Sequence, residues 1–276
     1  SQPIQFFLKK VIFKYQDIDD FGSKIVSKHF VVFLFFFLSG ILFFKLLKKV
    51  INQKNICYIS TSIYFLYPYL FGHSLFNPKD IPFMSIWLLC TYISFNIFEK
   101  MIINKPLTII KISILALSTS FLLSIRVTGV LIFIQYLITL IIFLHISEFN
   151  LVKFIKKFYS KIIIFSFLFV LFLIILNPLY WLSPLSFFEA VKWMSHYYHD
   201  VCTQTLGSCM KAKNLPSSYI FIWLSVKLPL IVLVGLILIP FTEKKIFKND
   251  YNVLIFGSIL GTSLFIPILL IFLNVN

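Results

Sequence analysis

Phe30-Val31-Val32-Phe33-Leu34-Phe35-Phe36-Phe37-Leu38-Ser39-Gly40-Ile41-Leu42-Phe43-Phe44-Lys45-Leu46-Leu47 carries one ionisable side chain in its whole length. A run of this kind crosses, or nearly crosses, a hydrocarbon core of about 30 Å as a helix. It is not alone. Working outward, comparable apolar runs lie at 56–71, 81–98, 107–124, 127–146, 161–176, 219–240 and 251–273, which makes eight expected spans. Over the 276 residues, 59% are apolar and 13% charged, with mean hydropathy +0.95. Soluble domains run nearer ~45–50% apolar and ~25% charged, so a soluble globular fold is excluded. The expected class is an all-α polytopic membrane protein, a single membrane-embedded domain over residues 1–276.

The net charge of +15 would suggest nucleic acid in a soluble protein, but the lysines here cluster between apolar runs. Lys45, Lys48, Lys49 and Lys54 share one connection, and Lys100, Lys105 and Lys111 another. Lys153, Lys156, Lys157 and Lys161 form a third group, and Lys244, Lys245 and Lys248 a fourth. Basic residues concentrate in cytoplasmic connections, so these four mark the inner side and no nucleic-acid partner is read from the charge. The opposite side receives the segment before residue 30, the turns near 72–80 and 125–127, and a long outer loop at 177–218. Residue 1 is Ser, and eight spans of this polarity put both ends outside, so a further helix is expected upstream. No internal repeat is evident.

The unusual polar residues gather on that outer side. Asp17, Asp19 and Asp20 precede His29 at the first span; three carboxylates this close suit a general base or a divalent metal, and equally a solvated loop. Phe71-Gly72-His73-Ser74-Leu75-Phe76-Asn77-Pro78-Lys79-Asp80-Ile81-Pro82 joins two apolar runs, and its prolines break helix continuity. A plain hairpin needs only the Gly, Asn and Pro; it does not need His73, Lys79 and Asp80, because ionisable groups at membrane depth are costly and pair or face a polar cavity. Lys79 offers a compact positive charge for a phosphate, and Asp80 a base, a metal ligand or an ion-pair partner. Arg126, in Ser124-Ile125-Arg126-Val127-Thr128-Gly129, is placed at the outer turn, where it either binds phosphate or snorkels to headgroups.

The outer loop opens with Asn177-Pro178-Leu179-Tyr180-Trp181. From Ser186 to Tyr198, Phe187, Val191, Met194 and Tyr198 recur at helical spacing, which predicts an interfacial amphipathic helix. His196, His199 and Asp200 share one face of that helix, a weak metal-site pattern. Cys202 and Cys209 lie outside the reducing cytosol, and a disulfide between them is expected. Cys57 and Cys90 read as small core residues. Lys227-Leu228-Pro229 marks a local break in the span at 219–240 or a lysine that snorkels.

Taken together, His73 to Pro82, Ser124 to Gly129, Asn177-Pro178 to Trp181, and Asn214-Leu215-Pro216-x-x-Tyr219 with Lys227-x-Pro229 resemble the membrane-embedded glycosyltransferases of the GT-C superfamily. Within it the chain is most similar to the family 39-like branch, which includes protein O-mannosyltransferases and aminoarabinose transferases. The resemblance implies a GT-C-like fold and transfer of a sugar from a polyprenyl-phosphate donor to a protein, lipid or glycan acceptor. It places the enzyme in the bacterial inner membrane with its active site facing the periplasm. It implies catalytic carboxylates among Asp19, Asp20 and Asp80, donor-phosphate contacts from Lys79 and Arg126, and substrate contacts from His73, Asn77 and Tyr219. It specifies no cofactor, and the transfer is expected to be either metal-independent or assisted by a divalent metal. The competing class is a carrier or flippase for an anionic lipid or small solute; the hydrophilic outer loop favours the transferase, since a carrier seldom needs one.

Overall fold

The computed structural model describes residues 20–147, 149–183, 185–195, 202–205, 207–211, 215–216, 218–246 and 250–272. Helix accounts for 85% of it, and the chain is an all-α integral membrane protein. Its main helices in chain order are α1 (Asp20–Val50), α2 (Lys54–Leu66), α3 (Pro68–Phe76), α4 (Asp80–Ile102), α5 (Ile109–Ile125), α6 (Ile132–Ile146) and α7 (Leu151–Leu176). The stretch after α7 holds the short α8 (Leu179–Leu182), α9 (Ser186–Ser195) and a hairpin of β1 (Cys202–Thr205) and β2 (Ser208–Lys211). Then follow α10 (Tyr219–Lys227), α11 (Leu230–Ile246) and α12 (Asp250–Phe272).

Among the described residues five helices are long and apolar enough to cross a membrane, six if the bent pair α10–α11 counts as one span. The eight expected runs differ from this for local reasons. The run at 56–71 divides at Tyr67, whose extended backbone (φ −61°, ψ 113°) precedes Pro68; a residue before proline is steered out of the helical region. The run at 107–124 becomes α5, 17 residues long, at the lower limit for a span. The run at 219–240 bends by 113° at Leu228-Pro229, where Leu228 is extended. This is the break that Lys227-Leu228-Pro229 marks in the sequence.

The chain divides into two compact units. The first comprises residues 1–97, 106–129 and 161–176. Its core is built on Val32, Phe36 and Ile81, with Tyr64, Phe65, Leu70 and Met84 packed around them. Phe36 stacks on Tyr64 and meets Phe65 edge-on, each at 5.5 Å between ring centroids. The Ser39 and Tyr64 hydroxyls lie 2.7 Å apart, so neither is left unsatisfied in the apolar interior. Gly40 lies against this packing, and a Cβ there would overlap the Phe65 ring. In α5 the buried Ser and Thr hydroxyls turn back onto their own helix, Thr119 to Leu115 O and Ser124 to Ser120 O, both at 2.8 Å. The Ser120 hydroxyl lies 2.8 Å from both Ala116 O and Phe169 O, which ties α5 to the C-terminal half of α7 without an apolar driving force.

The second unit comprises residues 98–105, 130–160 and 177–276. Phe143, Phe154 and Leu254 form its core, with Phe98, Leu140 and Tyr251 among the surrounding side chains. The main packing is α12 on α6. Gly257 and Gly261 bring the two backbones close: a Cβ on either would come within 2.9 Å of Ile142 and 3.1 Å of Ile138, respectively. Glycines four apart allow this approach between membrane helices. The hairpin pairs Gln204 with Cys209 and Cys202 with Lys211, and its turn uses Gly207 at φ +81°, a conformation glycine adopts without strain. This β element has no counterpart in the sequence-based reading of the outer loop. Cys209 is disulfide-bonded, whereas Cys57 and Cys90 are buried free thiols; the side chain of Cys202, the expected partner, lies outside the described residues.

Candidate functional site

The loop between α3 and α4 is organised by Asn77. Its backbone N–H donates to His73 O at 2.9 Å and closes the end of α3. Its side-chain Oδ1 accepts from the backbone N–H groups of Lys79 (3.2 Å) and Asp80 (3.0 Å). Asn77 thereby caps the Pro78-Lys79 turn that leads into α4, with Pro78 placed where its missing N–H costs nothing. The remaining polar atom, Nδ2, reaches Asp80 Oδ2 at 2.8 Å and His73 Nδ1 at 3.0 Å. All four hydrogen-bonding positions of the carboxamide are thereby filled, so a substrate contact at Asn77 must displace one of them. Because Nδ2 can only donate, its bond to His73 uses Nδ1 as the acceptor. The His73 ring is held between Tyr69 (4.4 Å) and Phe76 (5.2 Å).

Asp80 is joined from a second helix. The Arg126 guanidinium forms an ion pair with Asp80 Oδ1, across 46 positions of sequence. Arg126 leaves the helical conformation (φ −148°, ψ 135°) at the end of α5, and its carbonyl accepts from Gly129 N–H at 2.9 Å. Gly129 is buried against the backbone of Leu122, where an added Cβ would lie 3.1 Å from the carbonyl carbon and oxygen. A side chain there would push the turn away, so this glycine fixes where Arg126 emerges. The pair is half exposed, 43% for Arg126 and 52% for Asp80; it neutralises both groups without burying either.

Next to this pair lies a cavity of about 320 Å³. Lys28, Val31, Val32 and Phe35 line it from α1, at the i, i+3, i+4, i+7 spacing of one helix face. Pro78, Lys79 and Pro82 line it from the start of α4, Phe121, Ser124 and Ile125 from α5, and Leu176 from α7. Phe35 and Phe121 stack at 6.4 Å and form part of one wall. Two basic residues and one serine thus line an otherwise apolar space. Among the described residues neither Lys28 nor Lys79 has an ion-pair partner, and no carboxylate lines the cavity. Such a space suits an anion attached to an apolar chain.

The expected site residues therefore separate. His73, Asn77, Asp80 and Arg126 form one hydrogen-bonded cluster; Lys79 turns to the cavity. Asp20 is the first residue of α1, but its side chain lies outside the described residues, as do Asp17, Asp19, His196, His199 and Asp200. Tyr219 begins α10 in the second unit, where its N–H donates to Pro216 O at 2.8 Å. His29 is exposed on α1. Among the described residues no three His, Cys, Asp or Glu side chains gather as a metal site would need. Lys28 is the residue that reading the sequence missed; its helical spacing to Val31, Val32 and Phe35 is the signal that pairs it with an apolar groove.

In comparisons with known proteins, no family model, curated protein or solved structure matches the chain.

Proposed function

We propose that the chain is a membrane glycosyltransferase that takes a sugar from a polyprenyl-phosphate donor at the outer face of a bacterial inner membrane and passes it to a protein, lipid or glycan acceptor. The observation that carries this reading is the cavity with Lys28 and Lys79 opening onto walls of Val, Phe, Ile, Leu and Pro. A polyprenyl phosphate is an anion on a branched apolar chain, and the cavity lining combines two basic residues with apolar ones. Its volume, at the lower end of ligand pockets, takes the phosphate and the first carbons of the chain, leaving the rest to the bilayer.

Breaking the bond between the anomeric carbon and the phosphate oxygen leaves charge on the phosphate, and fixed ammonium groups stabilise that charge as it develops. The acceptor hydroxyl needs a carboxylate to take its proton. Asp20, the first residue of α1, and Asp19 before it in the sequence are the carboxylates proposed for this role. Asp80 enters this scheme as the partner that fixes Arg126 beside the cavity, with Asn77 fixing both. Paired in this way, Arg126 supplies donors next to the phosphate rather than net positive charge, which comes from Lys28 and Lys79.

A second reading, a carrier for an anionic lipid or solute, draws on two observations: among the described residues no carboxylate lines the cavity, and Asp80 is already paired with Arg126. The two readings part in one assay. Purified protein incubated with a panel of polyprenyl-phosphate sugars and acceptors releases polyprenyl phosphate if it is a transferase, and Lys79→Ala and Lys28→Ala suppress the release. Saturable donor binding that depends on both lysines, with no release, assigns the chain to the carrier class.

A further inference from the structure

The charge around the cavity is uneven. Lys28 lines it from α1 and Lys79 from the turn before α4, and both residues are exposed. Among the described residues no carboxylate joins them in the lining, and α5 and α7 contribute no ionisable side chain to it. Beside the cavity, Arg126 is neutralised by Asp80. Neither His29 nor His73 is part of the lining; His73 contacts Asn77 instead. The described lining therefore carries two positive charges with no acid to offset them.

In the transfer proposed above, the acceptor oxygen bonds to the anomeric carbon and the bond from that carbon to the phosphate oxygen breaks. Its electron pair leaves with the phosphate, and the acceptor's proton passes to the base carboxylate. The donor is a phosphodiester with one negative charge. The released polyprenyl phosphate is a monoester with nearly two at neutral pH, because its second proton leaves near pH about 6. We propose that the cavity holds the released polyprenyl phosphate more tightly than the sugar-loaded donor, so that accumulated lipid product slows turnover. This inference rests on the transferase reading and adds the regulation of its site. Two cations facing a dianion each gain an attraction that a monoanion does not offer. Because the lysines are exposed, water and salt moderate each gain, and a preference of about tenfold is expected.

The test measures binding of three fluorescent lipids with the same prenyl chain to the purified full-length protein in uncharged micelles. They are the phosphate monoester, its methyl phosphodiester and the neutral alcohol. At about pH 7.5 the monoester should bind about tenfold more tightly than the diester; at about pH 4.5, where it too is a monoanion, the two should agree within about twofold. The diester controls for protein groups that titrate in this range, since these act on both anions alike. Linkage fixes the sign of a second readout. Tighter binding of the dianion makes the bound phosphate easier to deprotonate, so its phosphorus NMR midpoint should fall by about one pH unit, the equivalent of about tenfold. Lys28→Gln and Lys79→Gln should each cut the preference to about threefold. Equal affinity of monoester and diester at about pH 7.5, both above the alcohol, overturns this inference and leaves the reading of the cavity standing. A preference that survives both lysine changes overturns it as well. Anions that bind no better than the alcohol overturn the inference and the cavity reading together.

Discussion

Asn77 connects the helix packing to the candidate site, and its contributions can be separated by substitution. Asn77→Ala removes Oδ1 from the Lys79 and Asp80 N–H groups and Nδ2 from Asp80 and His73. Loss of the cap costs about 1 kcal/mol. The bond to Asp80 is charge-assisted, but the carboxylate is 52% exposed, so water replaces much of it and about 0.5 kcal/mol is lost. The total expected for Ala is about 1.5 kcal/mol. Asn77→Ser keeps a capping oxygen and gives up the amide, so it should fall by only about 0.5 kcal/mol. Asn77→Asp also keeps the cap and favours the positive end of α4, but sets a second carboxylate beside Asp80; these oppose, and its stability should lie near that of Ser. The assay is reversible unfolding of the purified protein in mixed micelles, followed by far-ultraviolet circular dichroism. An Ala variant as stable as the parent, or a Ser variant as damaged as Ala, would refute the capping role.

Three further outcomes follow from the packing. Gly40→Ala forces the Phe65 ring away from Phe36, Phe37 and Tyr64 and should cost about 2–4 kcal/mol; adding Phe65→Ala should make the double variant less damaged than the sum of the singles. Gly257→Ile should separate α12 from α6 at a cost of about 1–3 kcal/mol, partly recovered by Ile142→Ala, both read by unfolding in micelles. Exchanging the charges as Asp80→Arg with Arg126→Asp should recover most of what either single change loses; the coupling should be about 0.2–1 kcal/mol because the pair is half exposed, and should shrink in high salt.

The membrane class was legible because apolar runs such as Phe30–Leu47 admit one solvent, and the break at Pro229 because proline acts locally. Chain-distant facts were not legible. Asp80 and Arg126 are 46 residues apart, and nothing local in either motif indicates that they neutralise one another. Asn77 stood out as polar, yet its role as a double cap depends on the angle between α3 and α4. Lys28 was overlooked because His29 beside it looks more like chemistry; only the packing of α1 against the start of α4 reveals which of the two lines a cavity. The division at Tyr67 was signalled by Pro68 but masked by apolar residues on both sides. The β1–β2 hairpin escaped because its short strands, Cys202-Thr203-Gln204-Thr205 and Ser208-Cys209-Met210-Lys211, have too little alternation to register.

The central claim is that Lys28 and Lys79 hold the phosphate of a lipid whose chain occupies the apolar cavity. Its most direct test is equilibrium binding of a fluorescent polyprenyl phosphate to the purified full-length protein in micelles, compared with the same prenyl chain ending in a neutral alcohol. The expected result is saturable binding of the phosphate alone, weakened by about 10- to 100-fold in Lys79→Ala and in Lys28→Ala and only slightly in Lys79→Arg. Equal binding of phosphate and alcohol, or full affinity in both Ala variants with the fold retained, would contradict the account.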